Sequence, residues 1–193
     1  MDNFVIETKR LRLRRWKDTD IEPFTRINTD PRVMEYFPST FDAVQTEQII
    51  RKQEDSFETR GFGLWACELK ESNTFIGFTG LSSPSFESSF TPCIEIGWRL
   101  AFEHWGKGYA PEAAKAVLHF AFDQLRLKEV LSWTAVNNLQ SRRVMEKIGM
   151  QQDLTGDFEH PNIPAGHKLR PHVLYRIQAD VFAALNSKVL IQP

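Results

Sequence analysis

The stretch Trp98 to Ala113, WRLAFEHWGKGYAPEA, constrains this chain more than any other. It reads as a strand ending near Leu100, a short turn carrying Gly106 and Gly108, and a helix opening near Pro111. Proline suits a helical first turn, where its missing N–H is not needed. A strand-like run follows at Lys128 to Val136, so the spacing predicts a strand–helix–strand crossover. Two glycines before a helix also let backbone N–H groups face outward, and the helix N-terminus adds partial positive charge. Together they make a phosphate site that needs few lysines, supplemented here by Lys107. The same glycines serve equally well in a plain, tight strand-to-helix turn.

The remaining periodicity sets the fold class. Leu11 and Leu13 alternate with arginines over Arg10 to Arg14, the pattern of a half-buried strand. Further strands are expected over Gly63–Leu69, Thr74–Leu81, Cys93–Ala101, Lys128–Val136, Met150–Thr155 and His172–Ile177. Helices are expected over Asp18–Asn28, Thr40–Arg60, Pro111–Leu125 and Leu139–Ile148, with a short one after Asp180. Asp18 or Asp20 can cap the first; Asp20 leaves Pro23 in the first turn. Gly61 and Gly149 close the second and fourth. The result is an α/β chain with a mixed, mostly antiparallel central sheet of about six to seven strands flanked by about four helices. At 193 residues, with no repeat, low-complexity tract or long linker, a single domain over 1–193 is expected. Ser82–Pro92 reads as a surface loop and Phe158–Pro171 as a second irregular stretch.

Composition removes several classes of function. Lysines and arginines number 24 against 25 acidic residues, a net charge of −1, which argues against a broad basic face for nucleic acid. Trp16, Trp65, Trp133, Phe86 and Phe90 therefore read as core or pocket packing, not base-stacking platforms. Cys67 and Cys93 lack metal-ligand spacing and sit in apolar strand-like runs, which fits a reducing, cytoplasmic setting. No apolar run approaches the ~20 residues of a membrane span, and Met1-Asp2-Asn3-Phe4-Val5 is not the start of a signal peptide. His160, His167 and His172, with Glu159, match no common zinc motif, so no metal is expected. His104 and His119 read as solvated.

Three nucleotide readings compete for the glycine turn. A Walker loop needs GxxxxGK followed by Ser or Thr, and no such run exists. A Rossmann fingerprint needs a third glycine where Pro111 stands, and an acidic residue late in the next strand, whereas Glu129 lies at its start. A pyrophosphate loop of the coenzyme A type remains. Trp105-Gly106-Lys107-Gly108-Tyr109-Ala110 resembles the Q/R-x-x-G-x-G/A acetyl-CoA loop of the GNAT acetyltransferase superfamily. Glu95-Ile96-Gly97-Trp98-Arg99-Leu100 resembles its fourth strand. Asn138-Leu139-Gln140-Ser141 through Met145-Glu146-Lys147-Ile148-Gly149-Met150 resembles its fourth-helix signature, N-x-x-S/A followed by EK-x-G-F. Thr8 to Arg14 resembles the start of the RimJ/RimL branch, which acetylates N-terminal amines of ribosomal proteins. The matches cover nearly the whole chain in order.

This resemblance implies a GNAT-like fold and direct attack of an amine on the thioester of acetyl-CoA, which serves as cosubstrate. It implies that Trp105 to Ala110 bind the pyrophosphate. A backbone N–H among Trp98, Arg99 and Leu100 would meet the oxyanion, and Asn138 would hold the pantetheine arm. Glu95 is the implied base, directly or through a water, and Ser141 the candidate acid. Ser141 is the candidate, if an acid is needed, because Met145 stands where many relatives carry a proton-donating tyrosine and methionine cannot donate. Glu95 also reads as an outward polar residue on an alternating strand, and Ser141 as a helix cap. Arg142 and Arg143 fit cofactor phosphate contacts or a solvated helix face.

The expected acceptor is a protein N-terminal amine. A polyamine, amino acid or antibiotic amine is the alternative, and a CoA-binding module without turnover is the reading from a different class. Acceptor choice is expected to lie in Thr40–Arg60, Ser82–Pro92 and Phe158–Pro171. Related enzymes are often dimers.

Overall fold

The computed structural model describes residues 5–187. The opening Met1 to Phe4, read above as no signal peptide, lies outside them. The chain divides into two compact units. The first runs to Ser82 and resumes over Ile96–Val117; the second comprises Ser83–Glu95 and the chain from Leu118 onward.

In the first unit β1 (Ile6–Glu7) pairs antiparallel with β2 (Leu11–Arg14), and β2 with β3 (Leu64–Leu69). β3 pairs in turn with β4 (Phe75–Ser82), and β5 (Glu95–Leu100) lies next to β4. Arg14 to Leu11 face Ala66 to Leu69 in register, which buries Leu11, Leu13, Ala66 and Cys67 completely. Burial pushes the Cys67 thiol up to about 12, so it behaves as a small core residue. Helices α1 (Ile21–Thr29) and α2 (Ala43–Arg60) pack together. Phe24 of α1 meets Trp16 at 4.9 Å and Phe78 edge-on at 5.7 Å between ring centroids.

Local chemistry explains the helix ends, with three corrections. α2 starts three residues later than Thr40 because Asp42 forms a capping box: its carboxylate accepts from Gln45 N, and Gln45 Oε1 accepts from Asp42 N. α2 ends at Gly61, in the left-handed region at φ +76°. Asp20 occupies the N-cap position of α1 but makes no side-chain cap, and a 3₁₀ turn over Asp18–Asp20 precedes the helix. Its carboxylate is taken instead by Arg14, through Nη1 at 2.7 Å and Nη2 at 2.8 Å. The third helix is also shorter than the expected Pro111–Leu125. α3 spans Tyr109–His119 and passes into a π-helical turn over Phe120–Gln124.

In the second unit β6 (Glu129–Ala135) pairs antiparallel with β8 (Pro171–Gln178), and β8 with β7 (Gln151–Glu159). Glu95, at the start of β5, pairs in parallel with Leu131 of β6. Helices α4 (Leu139–Lys147) and α5 (Ala179–Ser187) complete it. Val130, Met145, Leu174 and Phe182 supply its core. β7 runs to Glu159, into the stretch expected to be irregular, and it shifts register between Asp153 and Phe158.

The described residues thus carry eight strands and five α-helices, against the expected six to seven and about four. The additional strand, β1, is two residues long and too short to show periodicity. The fifth helix is the short one expected after Asp180. Antiparallel pairs with one parallel pair make the α/β arrangement mixed, as expected.

Candidate active site

The glycine turn is open and strapped from behind. Gly106 and Gly108 sit at φ +73° and +80°, where a side chain would be strained. A Cβ on Gly106 would meet nothing within 4 Å, and one on Gly108 only Arg10 Nη2 at 3.4 Å. Among the turn and loop hydrogen bonds of the described residues, the N–H groups of Gly106, Lys107 and Gly108 donate none. Pro111 falls in the first turn of α3, as the sequence requires. These amides, the helix N-terminus behind them and exposed Lys107 form a donor set that fits a diphosphate.

Residues that sequence reasoning did not assign to the turn hold it in shape. Arg10 Nη1 donates to Lys107 O at 3.0 Å and Nε to Glu112 Oε2 at 2.7 Å, and the guanidinium lies 4.4 Å over the Tyr109 ring. Glu112 Oε1 also accepts from Thr8 Oγ1 at 2.6 Å and from Arg10 N at 2.9 Å. Burial alone would raise the Glu112 carboxyl, but the hydrogen bonds from Thr8 and Arg10 hold it below the usual carboxylate value. Trp105 spends its indole N–H on Leu100 O at 2.8 Å, which ties the turn to the end of β5. Ala110 lies in the first turn of α3. His104 was expected to be solvated; it is half-buried, its Nδ1 has no partner, and burial lowers its pKa.

On β5, Trp98 and Arg99 are half-buried and Leu100 is buried. The Arg99 side chain turns toward Asn28, whose Oδ1 accepts from Nη1 at 2.6 Å. Glu95 is half-buried. Its charge reaches Cys93, whose thiol is pushed up to about 11 by burial first and by Glu95 second.

In the second unit, Asn138 caps α4. Its Oδ1 accepts from Ser141 N at 3.1 Å and its Nδ2 donates to Thr134 Oγ1 at 2.9 Å. That is the structural role of an N-cap asparagine, with both ends of the amide engaged. Ser141 lies in the first turn of α4, half-buried, with its hydroxyl donating to no described residue. Met145 is 0% exposed, so the position occupied by tyrosine in many relatives belongs here to the core. Arg142 is neither a solvated residue nor a free phosphate ligand. It donates to Val136 O at 3.1 Å, Gln152 Oε1 at 3.2 Å and Tyr175 OH at 3.3 Å. Arg143 is exposed.

The two loops singled out for acceptor choice in this unit converge. Phe86 and Phe90 gather with Trp133 and Phe158, with Phe90 and Phe158 4.9 Å apart. His160 lies 4.9 Å from both Phe86 and His172. Burial, and then the neighbouring His172, push His160 down to about 4, so it is neutral at pH 7. No group of three or more metal-ligating side chains occurs among the described residues. No helix among them is long and apolar enough to cross a membrane.

Comparison with known proteins agrees with this geometry. The profile of the family described as "Acetyltransferase (GNAT) domain" matches residues 10–151. The uncharacterized protein YkkB of Bacillus subtilis is 34% identical over 149 residues, 77% of this chain and 86% of that protein. An Aspergillus fumigatus protein named FsC-acetyl coenzyme A-N(2)-transacetylase is 32% identical over 150 residues, 73% of this chain and 62% of its own length. A crystal structure of an acetyltransferase (GNAT family) from Bacillus anthracis superposes with a TM-score of 0.75 at 28% identity, covering 92% of this chain and 99% of that one.

Proposed function

This chain belongs to the GNAT acetyltransferase family, and from that premise we propose that it acetylates the N-terminal amine of a protein, in the manner of the RimJ/RimL branch. The observation that carries the reading is the open, positive-φ turn at Gly106 and Gly108, strapped by Arg10 and Glu112 and suited to the pyrophosphate of acetyl-CoA. The chain over 1–193 is taken as one catalytic domain. An N-terminal acceptor asks little of the base. An α-amine has a pKa of ~7.7–8.0 and is appreciably neutral near pH 7, whereas a lysine amine at ~10.4 is neutral in roughly one molecule in a thousand.

Glu95 takes the proton that the amine sheds as its nitrogen bonds to the thioester carbonyl carbon. A backbone N–H of the Trp98–Leu100 segment donates to the oxygen as it becomes negative. When the carbon–sulfur bond breaks, the thiolate takes a proton, for which Ser141 is the nearest candidate in role. The amides of Gly106 to Gly108, with Lys107, Tyr109 and Ala110, hold the pyrophosphate. Asn138 acts through its cap, fixing the first turn of α4 that carries Ser141.

A small-molecule amine is the second reading. It is favoured by the fungal relative, whose name describes an N(2)-transacetylase. The test is thiol release from acetyl-CoA with peptides bearing free N-termini, alongside lysine side chains and polyamines. Release that depends on the N-terminal peptides supports the protein acceptor. Release only with small amines supports the second reading, and silence across the panel refutes both.

A further inference from the structure

We propose that Arg99 anchors a carboxylate of the acceptor, so that the enzyme takes amines that also carry an acidic group; the inference rests on the transferase reading above. The guanidinium is built into a rigid setting. Asn28 Oδ1 accepts from Nη1 at 2.6 Å, and Asn28, itself 0% exposed, is fixed by donating Nδ2 to Thr46 Oγ1 at 3.0 Å. The guanidinium carbon lies 4.2 Å from the ring centroid of Phe37, 5.4 Å from Phe41 and 5.5 Å from Phe78. Nε is shut off from solvent and has no partner. Burial is the influence that acts on its titration, lowering it to about 10, and the group stays protonated at neutral pH.

The contrast with the other arginines is what points to a ligand. Arg10, Arg14, Arg15 and Arg176 each reach at least one carboxylate within 2.9 Å. Arg99 is half-buried among aromatic rings, yet no carboxylate among the described residues pairs with it. A buried charge without a counter-ion is costly, and aromatic rings offset only part of that cost. With Nη1 pinned on Asn28 and no carboxylate beside it, the fixed guanidinium has its other terminal nitrogen left to meet the oxygen of an anion.

The place on β5 fits an acceptor. Alternation along a strand puts Glu95, Gly97 and Arg99 on one face. Gly97 presents no side chain, and a Cβ there would meet nothing within 4 Å. The carboxylate can come from a free amino acid or from an acidic side chain at a peptide N-terminus.

Two measurements on the full chain test this. The first is thiol release from acetyl-CoA, with wild type, Arg99→Met and Arg99→Lys. The acceptors are free amino acids against their carboxamides, and peptide amides beginning with Glu or Asp against those beginning with Gln or Asn. Wild type should favour the acidic member by about tenfold or more in kcat/KM, as expected when a site built for a polar group meets an analogue lacking it. That ratio should fall toward one in Arg99→Met and partway in Arg99→Lys. The pair class that shows the ratio identifies the source of the carboxylate. Equal use of both members by wild type, or a ratio unchanged in both variants, would overturn the anchor while leaving the transferase standing.

The second measurement needs no turnover. The Arg99 Nε–H signal in ¹⁵N-labelled protein, assigned with Arg99→Lys, should move on titration with glutamate and stay still with glutamic acid diamide. If no acceptor reacts at all, the transferase reading fails. This titration then decides the anchor alone: a signal indifferent to both compounds overturns it.

Discussion

Replacing Glu68 with glutamine isolates a buried electrostatic cluster in the first unit. The Glu68 side chain is 4% exposed, accepting from Arg14 Nε at 2.7 Å and from Arg12 Nη1 at 2.8 Å, with Lys17 Nζ at 3.5 Å. Arg14 is bound on its other edge by Asp20, whose side chain is 3% exposed. A glutamine keeps the shape but offers one acceptor and turns an NH₂ toward a guanidinium donor. One of the two short bonds becomes a clash of donors. Breaking a buried pair by altering one partner costs about 3–5 kcal/mol. Arg14 retains Asp20, and a cavity of about 620 Å³ lined by Arg14, Asp20 and Glu68 lets water approach. The low end, about 3 kcal/mol, is therefore expected. For a chain of this size that corresponds to a fall in Tm of about 6–12 °C.

Urea unfolding at a series of pH values checks both magnitude and origin. Burial by itself would raise the Glu68 carboxyl, but the hydrogen bonds and charges of Arg14, Arg12 and Lys17 hold it below the ordinary value of 4.5. A depressed carboxyl contributes stability that is present above its unfolded value and lost as the pH falls through its folded value. Glutamine does not titrate. The difference between wild type and Glu68→Gln should thus be full at pH 7 and shrink once the pH drops below 4.5. A difference under about 1 kcal/mol at pH 7, or one that does not narrow in acid, would refute this account of the cluster.

Three further outcomes are expected. Gly106→Ala has open space for its Cβ, so the free protein should lose only about 1–2 kcal/mol from a left-handed alanine, while calorimetry should show markedly weaker acetyl-CoA binding; unchanged affinity would remove this turn from the cosubstrate site. Glu95→Gln should lower turnover most at low pH, where the amine is least often neutral, and spare acetyl-CoA affinity; a parallel pH–rate profile would exclude Glu95 as base. Ser141→Ala should slow the chemical step in single-turnover measurements, and a wild-type rate would mean that solvent protonates the thiolate.

The parts of this molecule legible in the sequence are those governed by near neighbours. Gly61 closing α2, Pro111 in the first turn of α3, and the glycines of the turn before it all act through their own backbone. What stayed hidden depends on distant partners. Asp20 looks like a cap until Arg14 claims its carboxylate, and Arg14 is oriented by Glu68, 54 residues away along the chain. Arg99 reads as one member of a backbone segment because Asn28, which fixes its side chain, lies 71 residues earlier. Arg142 looks solvated from helical spacing, yet Tyr175 and Gln152 occupy its donors. The π-helical turn after α3 has no signal of its own in an apolar run that continues through Phe120 and Phe122.

The strap behind the glycine turn has a consequence for how the protein is made. Thr8 and Arg10 leave the ribosome early, but their partner Glu112 lies 104 and 102 residues further on. Contacts of such span are entropically expensive and form late. A nascent chain halted before Glu112 carries β1 and β2 with Thr8 and Arg10 facing water in place of their carboxylate partner, and it lacks the strap that shapes the cosubstrate loop. Competence for acetyl-CoA therefore arrives late in the folding of the first unit, after all of its strands have been synthesised.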